Sequence, residues 1–164
     1  MTRPSPTKAS ALPLGSIAPR VTFEDTRKKP FSLPNGRITL VFYEDKDAGS
    51  QNEHTRRVVG EFDNPPANRE RLSVVAIGDL EKWNWFPAHD YAIKEMSKIE
   101  AKENLTLFCD WTGEVRRAWR LTPGKSGILL LDGAGVVRFL AEGPLSRVQL
   151  DDLTVQFKAL GIEK

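Results

Sequence analysis

Three short apolar runs, rich in β-branched and aromatic residues, constrain the fold of this chain more than any other feature. They occupy residues 38–43, 72–77 and 105–109. Runs of this composition are typical of strands that are covered on both faces of a sheet. The polar segments between them, residues 50–62 and 87–103, carry apolar side chains at helical spacing. Because strands and helices alternate, the pattern predicts an α/β domain whose sheet is parallel at its centre.

The last part of the chain follows a different pattern. Apolar runs at residues 128–131 and 136–140 flank the glycine-rich segment 132–135, which favours an antiparallel hairpin. Residues 146–160 then place apolar side chains two to four positions apart and end before Gly161. This arrangement is typical of an amphipathic helix with a glycine stop.

The amino-terminal part is predicted in two pieces. Residues 1–13 are rich in Ser, Thr, Pro and basic residues and are expected to form a flexible leader, whereas residues 14–164 are expected to form one domain. An edge hairpin is predicted to end near Gly36. The leader lacks the apolar stretch of a secretory signal, so a cytoplasmic location is expected. A periplasmic location is the alternative if a signal peptide has been removed ahead of Met1.

Composition excludes several classes of function. The 24 basic and 22 acidic side chains give a formal charge of only +2, so no broad positive field is available for nucleic acid. No apolar run approaches the ~20 residues that a membrane helix needs. A single cysteine cannot form an internal disulfide, a CxxC pair or a multi-thiolate zinc site.

Four short segments resemble one known family. Residues 48–49, 114–119, 126–132 and 142–146 look like the YtfJ-type family of thioredoxin-fold bacterial proteins, and the order of elements over residues 14–160 is similar as well. The resemblance implies a thioredoxin-like α/β fold. Its central mixed sheet would join a βαβ half to a ββα half, with helices on both faces.

The same resemblance implies that the redox motif has been lost. In redox-active relatives a cysteine pair opens the helix after the first core strand, and a cis-proline precedes the hairpin. The resemblance places Asp47 and Ser50 at the pair and Ser126 at the cis-proline position. A carboxylate and a hydroxyl can neither exchange with disulfides nor form a sulfenic acid, so dithiol and peroxidatic chemistry are not expected there.

The only thiol of the chain is Cys109. It ends an apolar strand without a local basic partner, which predicts a buried cysteine that acts as a small hydrophobic residue. The alternative from the enzyme class is a one-cysteine oxidoreductase or peroxidase that uses Cys109.

An aromatic segment gives the favoured functional hypothesis. Trp83, Trp85 and Phe86 follow a predicted strand at the carboxyl edge of the sheet, where ligands often bind in α/β proteins. The rings either cap the core or offer a surface to a partner. We therefore expect a non-redox protein without a cofactor that binds a protein partner or a small ligand. The candidate binding surface comprises Asp45, Lys46, Trp83, Trp85, Phe86 and Lys125.

Other chemistry has weaker support. His54 and His89 lack the spacing of a metal site, and the acids at positions 44, 45 and 47 are expected to form a solvated loop. Metal-dependent hydrolysis at that loop is a third hypothesis. Arginines such as Arg116 are expected on solvated helix faces.

Overall fold

One mixed sheet of seven strands organises the part of the chain that the computed structural model describes, residues 11–45, 51–103 and 106–164. The strands, in chain order, are β1 Val21–Asp25, β2 Pro30–Leu33, β3 Ile38–Glu44, β4 Leu72–Asp79, β5 Leu107–Asp110, β6 Gly127–Leu131 and β7 Val137–Glu142. The helices are α1 Glu53–Asp63, α2 Pro66–Arg71, α3 Ala88–Glu103, α4 Glu114–Ala118 and α5 Arg147–Ala159. A 3₁₀ turn covers Glu81–Trp83.

The sheet has the mixed topology that the sequence predicts. Its strand order is β2-β1-β5-β4-β3-β6-β7. β3, β4 and β5 pair in parallel, with Ile38 opposite Leu72, whereas β6 runs antiparallel to β3 and to β7. The β3-α1-β4 unit and the β6-β7-α5 unit are therefore the predicted βαβ and ββα halves, and the thioredoxin-like fold class is confirmed.

Buried side chains on alternate positions of β3 bind helices to both faces of the sheet. Leu40 and Phe42 share a cluster with Val59 of α1 and Phe157 of α5. Val41 and its neighbours on the other face share a cluster with residues of α4. Alternation of this kind is what a strand with two covered faces requires.

The structure corrects the predicted boundaries in three places. Leu12 is buried in the core, so the leader predicted for residues 1–13 is too long at its carboxyl end; residues 1–10 lie outside the described part. The short helices α2 and α4 were not predicted, because five or six residues are too few to show a helical repeat.

Within the described residues, no helix is long and apolar enough to cross a bilayer.

The three parallel strands end alike. β3 ends at Glu44, β4 at Asp79 and β5 at Asp110, so each places an acid at the same edge of the sheet. Carboxylates brought this close need cationic or hydrogen-bonding partners. The partners that the chain supplies define the candidate site.

Candidate functional site at the carboxyl edge of the sheet

A buried asparagine closes the start of α1. Asn52 occupies the N-cap position, and its side chain bridges two loops of the carboxyl edge. Its Nδ2 donates to Oγ of Ser126 at 2.6 Å and to the carbonyl of Gly143 at 3.2 Å, while its Oδ1 accepts from the amide of Leu145 at 3.1 Å. Both ends of the amide are therefore satisfied inside the protein.

Ser126 directly precedes β6 and is fully buried, and its assignment to the cis-proline position stays a prediction. The predicted pair, Asp47 and Ser50, lies outside the described residues, as does Lys46. Among the described residues, the side chains at the opening of α1 on this side are Asn52 and Thr55, which are also buried and three positions apart. The hydroxyl of Thr55 lies 3.4 Å from Oδ1 of Asn52.

A second polar cluster ties α4 to the sheet. Tyr43 donates its hydroxyl to Oδ2 of Asp110 at 2.7 Å, and the same oxygen accepts from the amide of Arg116 at 3.3 Å. The guanidinium of Arg116 donates to Asp79 at 2.6 Å and also to Glu81. Two strand-end acids are thus held by one residue of α4.

The side chain of Arg116 is only 13% exposed, so the expectation of a solvated arginine is wrong. Sequence spacing could not reveal this, because its partners lie some 35 positions away. Burial raises the pKa of Asp110, although the hydrogen bonds from Tyr43 and Arg116 oppose that rise. Burial and the nearby Asp110 carboxylate also raise the pKa of Tyr43.

The acid at the end of β3 is only half-satisfied. Oε2 of Glu44 accepts from the guanidinium of Arg56, but Oε1 has no hydrogen-bond partner. The side chain of Glu44 is 10% exposed, against 35% for that of Arg56. Burial raises the pKa of Glu44, and the Arg56 charge opposes the rise.

The aromatic segment is largely open to solvent. Trp85 is 61% and Phe86 83% exposed, so core capping does not describe these two rings. Trp83 is half-buried and stacks on Tyr91 with ring centroids 6.2 Å apart. Large exposed aromatic side chains mark interaction sites more often than ordinary surface does.

The structure brings together only part of the predicted binding surface. Asp45 and Trp83 line one groove between α1 and α3, and Asp45 also lies beside Gly124. Trp85, Phe86 and the exposed Lys125 do not line this groove.

Cys109 lies in an environment that differs from that of the polar side chains at the carboxyl edge. It is 1% exposed, and its Sγ lies 3.8 Å from Sδ of Met96. Burial raises its pKa to about 12, and the carboxylates of Glu24, Glu100 and Asp25 add to the rise. Two strands, β4 and β3, separate β5 from β6, which follows Ser126. This environment opposes thiolate formation.

The two histidines are not brought together as ligands. His54 is exposed on α1, whereas His89 stacks on Trp111 with ring centroids 3.8 Å apart. In the ranges that the structure describes, no group of three or more His, Cys, Asp or Glu side chains could hold a metal ion. The acidic loop of the hydrolysis hypothesis includes Asp47, which is outside those ranges.

Sequence reasoning missed Asn52, Tyr43 and Arg116. Asn52 lies inside the polar segment 50–62 and makes no side-chain capping bond, so the N-cap signal would not have revealed its bonds to Ser126, Gly143 and Leu145. The other two depend on contacts between distant parts of the chain, which composition and spacing do not report.

Several solved structures that resemble this chain are described as thiol-disulfide proteins or as a thiol peroxidase. A proposed thiol:disulfide interchange protein DsbE from Chlorobium tepidum is 18% identical, with a TM-score of 0.64 over 92% of this chain and 99% of that one. A thiol peroxidase from Chromobacterium violaceum is 13% identical, with a TM-score of 0.60 over 92% and 88%. A thiol-disulfide oxidoreductase from Bacteroides fragilis is 18% identical, with a TM-score of 0.59 over 88% and 99%. At these identities the likeness establishes the fold.

The chain is therefore a thioredoxin-fold protein with one cysteine and no CxxC pair. Residues 92–159 match the model of YtfJ_HI0045, a bacterial protein family of unknown function. The match covers less than half of the chain, so the chain is similar to this family over residues 92–159 and has the thioredoxin fold as a whole. No curated protein matches the sequence significantly.

Proposed function

We propose that this protein uses the thioredoxin fold for binding and performs no thiol chemistry. Its partner, a protein or a small ligand, would engage the loops at the carboxyl edge of the sheet. The observation that carries the proposal is the exposure of Trp85 and Phe86 at this edge. Two large rings held in water are costly unless another surface covers them.

The state of the sulfur supports the non-redox part of the proposal. Cys109 is buried, carries a raised pKa and has carboxylates rather than cations around it. The opening of α1 presents an amide and hydroxyls instead of thiols. Neither group can accept or release electrons as a dithiol does.

We also propose that Asn52 and Thr55 hold the positions of the lost pair, in place of Asp47 and Ser50. The three-residue spacing, the location in the first turn of α1 and the contact with Ser126 support this placement. Asn52→Cys/Thr55→Cys in a Cys109→Ser background would then place the first thiol at a helix amino terminus. We expect its pKa, measured by thiolate absorbance, to fall below 7.5.

The matched pair is Asp47→Cys/Ser50→Cys in the same background. Its first thiol should keep a pKa near the ordinary value of about 8.5. A depressed pKa at position 47 with an ordinary one at position 52 would restore the earlier placement.

Cross-linking in living cells tests the binding role. The photoreactive residue p-benzoylphenylalanine is introduced at Phe86, with the same replacement at Val148, which is exposed on α5, as the control. We expect a discrete adduct from position 86 alone, weakened by Trp85→Ser. Equal adducts from both positions, or none from position 86, would contradict the proposal.

Assays of thiol chemistry test the other half. We expect the wild type and Cys109→Ser to consume hydroperoxide equally slowly and to leave insulin disulfides intact. Consumption by the wild type that is lost in Cys109→Ser would favour the one-cysteine peroxidase instead.

A further inference from the structure

An open groove runs between α1 and α3 on one face of the sheet. Its volume is about 840 Å³, and its floor includes Phe42, Ala76, Met96 and Leu107. The half-exposed Ile99 of α3 also lines the groove, and Val74, two positions before Ala76 on the same face of β4, is exposed as well. Neither helix covers this strip of β4, so an apolar binding surface is left at the centre of the sheet.

The charges around the groove are predominantly acidic. Among the described lining residues there are five acids and two basic side chains. The acids are Glu44, Asp45, Glu53, Asp79 and Glu95, and the bases are Arg56 and Arg57. Arg116 pairs with Asp79 and Lys98 with Glu95 from outside the lining, so the general surplus is small and the preference for positive charge depends on the specific contact at Glu44.

Glu44 provides a specific contact for such a ligand. It is nine-tenths buried and lines the groove, and its Oε1 lacks a hydrogen-bond partner. An unpaired buried acceptor is destabilising, and an incoming donor can recover that cost. Arg56 is more exposed than Glu44, but its guanidinium lies over the Phe42 ring and its Nε also lacks a partner. A ligand cation would therefore compete with Arg56 for Glu44.

Two aromatic rings of the groove also favour a ligand with a positively charged group. Trp83 and Tyr91 line the groove as a stacked pair, and Tyr91 is 51% exposed. The face of an indole or phenol attracts a guanidinium or ammonium group, especially where water is partly excluded. The groove therefore combines a carboxylate, aromatic rings and an apolar floor.

We propose that this groove binds a peptide segment of a partner protein that carries an arginine or lysine between apolar residues. The cationic group would pair with Glu44, its stem would cross Trp83 and Tyr91, and the apolar neighbours would cover Ala76 and Leu107. A free polyamine would leave that floor uncovered, which is why a peptide is favoured. The inference rests on the proposed function, because it names the partner chemistry of the same carboxyl edge.

Nuclear magnetic resonance of the ¹⁵N-labelled full chain tests this inference. The probe is an acetylated, amidated pentapeptide of leucine, valine, arginine, valine and leucine, and the matched peptide has glutamate at its centre. We expect the arginine peptide to shift the amides of Ala76 and Gly78 and the indole of Trp83. The glutamate peptide should bind at least tenfold more weakly. Equal binding of the two peptides, or shifts confined to other surfaces, would overturn the inference.

Variants separate the contacts. Glu44→Gln and Tyr91→Ala should each weaken the arginine peptide about five- to tenfold, whereas Asp152→Asn on the exposed surface of α5 should not. Thermal unfolding of each variant shows that it folds, and Tyr91→Ala removes only a half-exposed ring. Unchanged binding by both groove variants would contradict the assignment. Spermidine that binds as tightly as the peptide would overturn the peptide as occupant.

Failure here is distinguishable from failure of the proposed function. If no peptide shifts the groove amides but the adduct at position 86 persists, the inference is wrong and the binding role stands. If the adduct is also absent, the binding role fails as well.

Discussion

The opening of α1 and the loop that precedes α3 lie at the same edge of the sheet but differ in how their side chains are satisfied. At the opening of α1, Asn52 is buried and bonded to four groups of the protein itself. In the other loop, Trp85 and Phe86 are exposed. A corner whose bonds are internal stabilises the fold, whereas a loop that leaves apolar rings in water is available to a partner. On the placement proposed above, the corner at Asn52 corresponds to the lost redox pair and serves the fold, and the neighbouring loop is the better candidate for function.

The largest effect on stability should come from a substitution at Asn52, whose side chain joins the opening of α1 to the loops at Ser126 and Gly143. We call this bonded group the closed corner. Asn52→Ala removes two donated and two accepted bonds, those with Ser126, Gly143, Leu145 and Thr55. We expect the free energy of unfolding to fall by about 3 kcal/mol, measured by urea denaturation. Asp152→Ala, on the surface of α5, should change it by less than about 0.5 kcal/mol. A loss below about 1 kcal/mol for Asn52→Ala would mean that the corner is not a structural clamp.

A smaller loss is expected at the cluster that holds α4. Tyr43→Phe removes the buried hydroxyl that donates to Asp110, so that the carboxylate keeps only part of its hydrogen bonding. We expect a loss of about 1.5 kcal/mol in urea denaturation. Tyr91→Phe is the matched control because its ring is half-exposed, and an equal loss in both variants would show that burial of the Tyr43 hydroxyl has no special weight.

The two regions also differ in how far the sequence predicts them. Residues 38–43 and 72–77 predict β3 and β4 because apolar, β-branched composition follows directly from burial on two faces. Ser126 directly precedes β6, whereas its role as the cis-proline position comes from the resemblance alone and stays a prediction. The bonds of Asn52 and the ion pairs of Arg116 could not be predicted, because they join segments from 35 to 93 positions apart. The exposure of Trp85 could not be predicted either, because the same sequence is compatible with a ring that caps the core and with one that faces water.

The pH dependence of stability distinguishes Glu44, which lines the groove, from the closed corner at Asn52. Asn52 and Ser126 do not titrate, but burial raises the pKa of Glu44 above its ordinary 4.5. The folded state then binds the Glu44 proton more tightly than the unfolded chain does. Its contribution to stability is therefore full below about pH 4.5 and is lost as the pH rises through the folded-state pKa.

Glu44→Gln removes this titration while its amide oxygen can still accept from Arg56. Relative to the variant, we expect the wild type to lose stability between pH 4 and pH 7, by less than the losses predicted above. Urea denaturation at three pH values measures the difference, with Asp152→Asn as the control. A gap between wild type and Glu44→Gln that is constant with pH, or that changes in the opposite direction, would show that burial does not dominate at Glu44.

The smallest effect on stability should come from the open loop. Trp85→Ser/Phe86→Ser removes rings that are mostly in water, so the free energy of unfolding should change by no more than about 0.5 kcal/mol. The one bond lost is from the indole nitrogen of Trp85 to the carbonyl of Lys82, at the protein surface. The same double variant should abolish cross-linking from a photoreactive residue placed at Asn84, between the two tryptophans. A loss of 2 kcal/mol or more would assign the rings to the fold, because only side chains that pack against the protein contribute that much on removal.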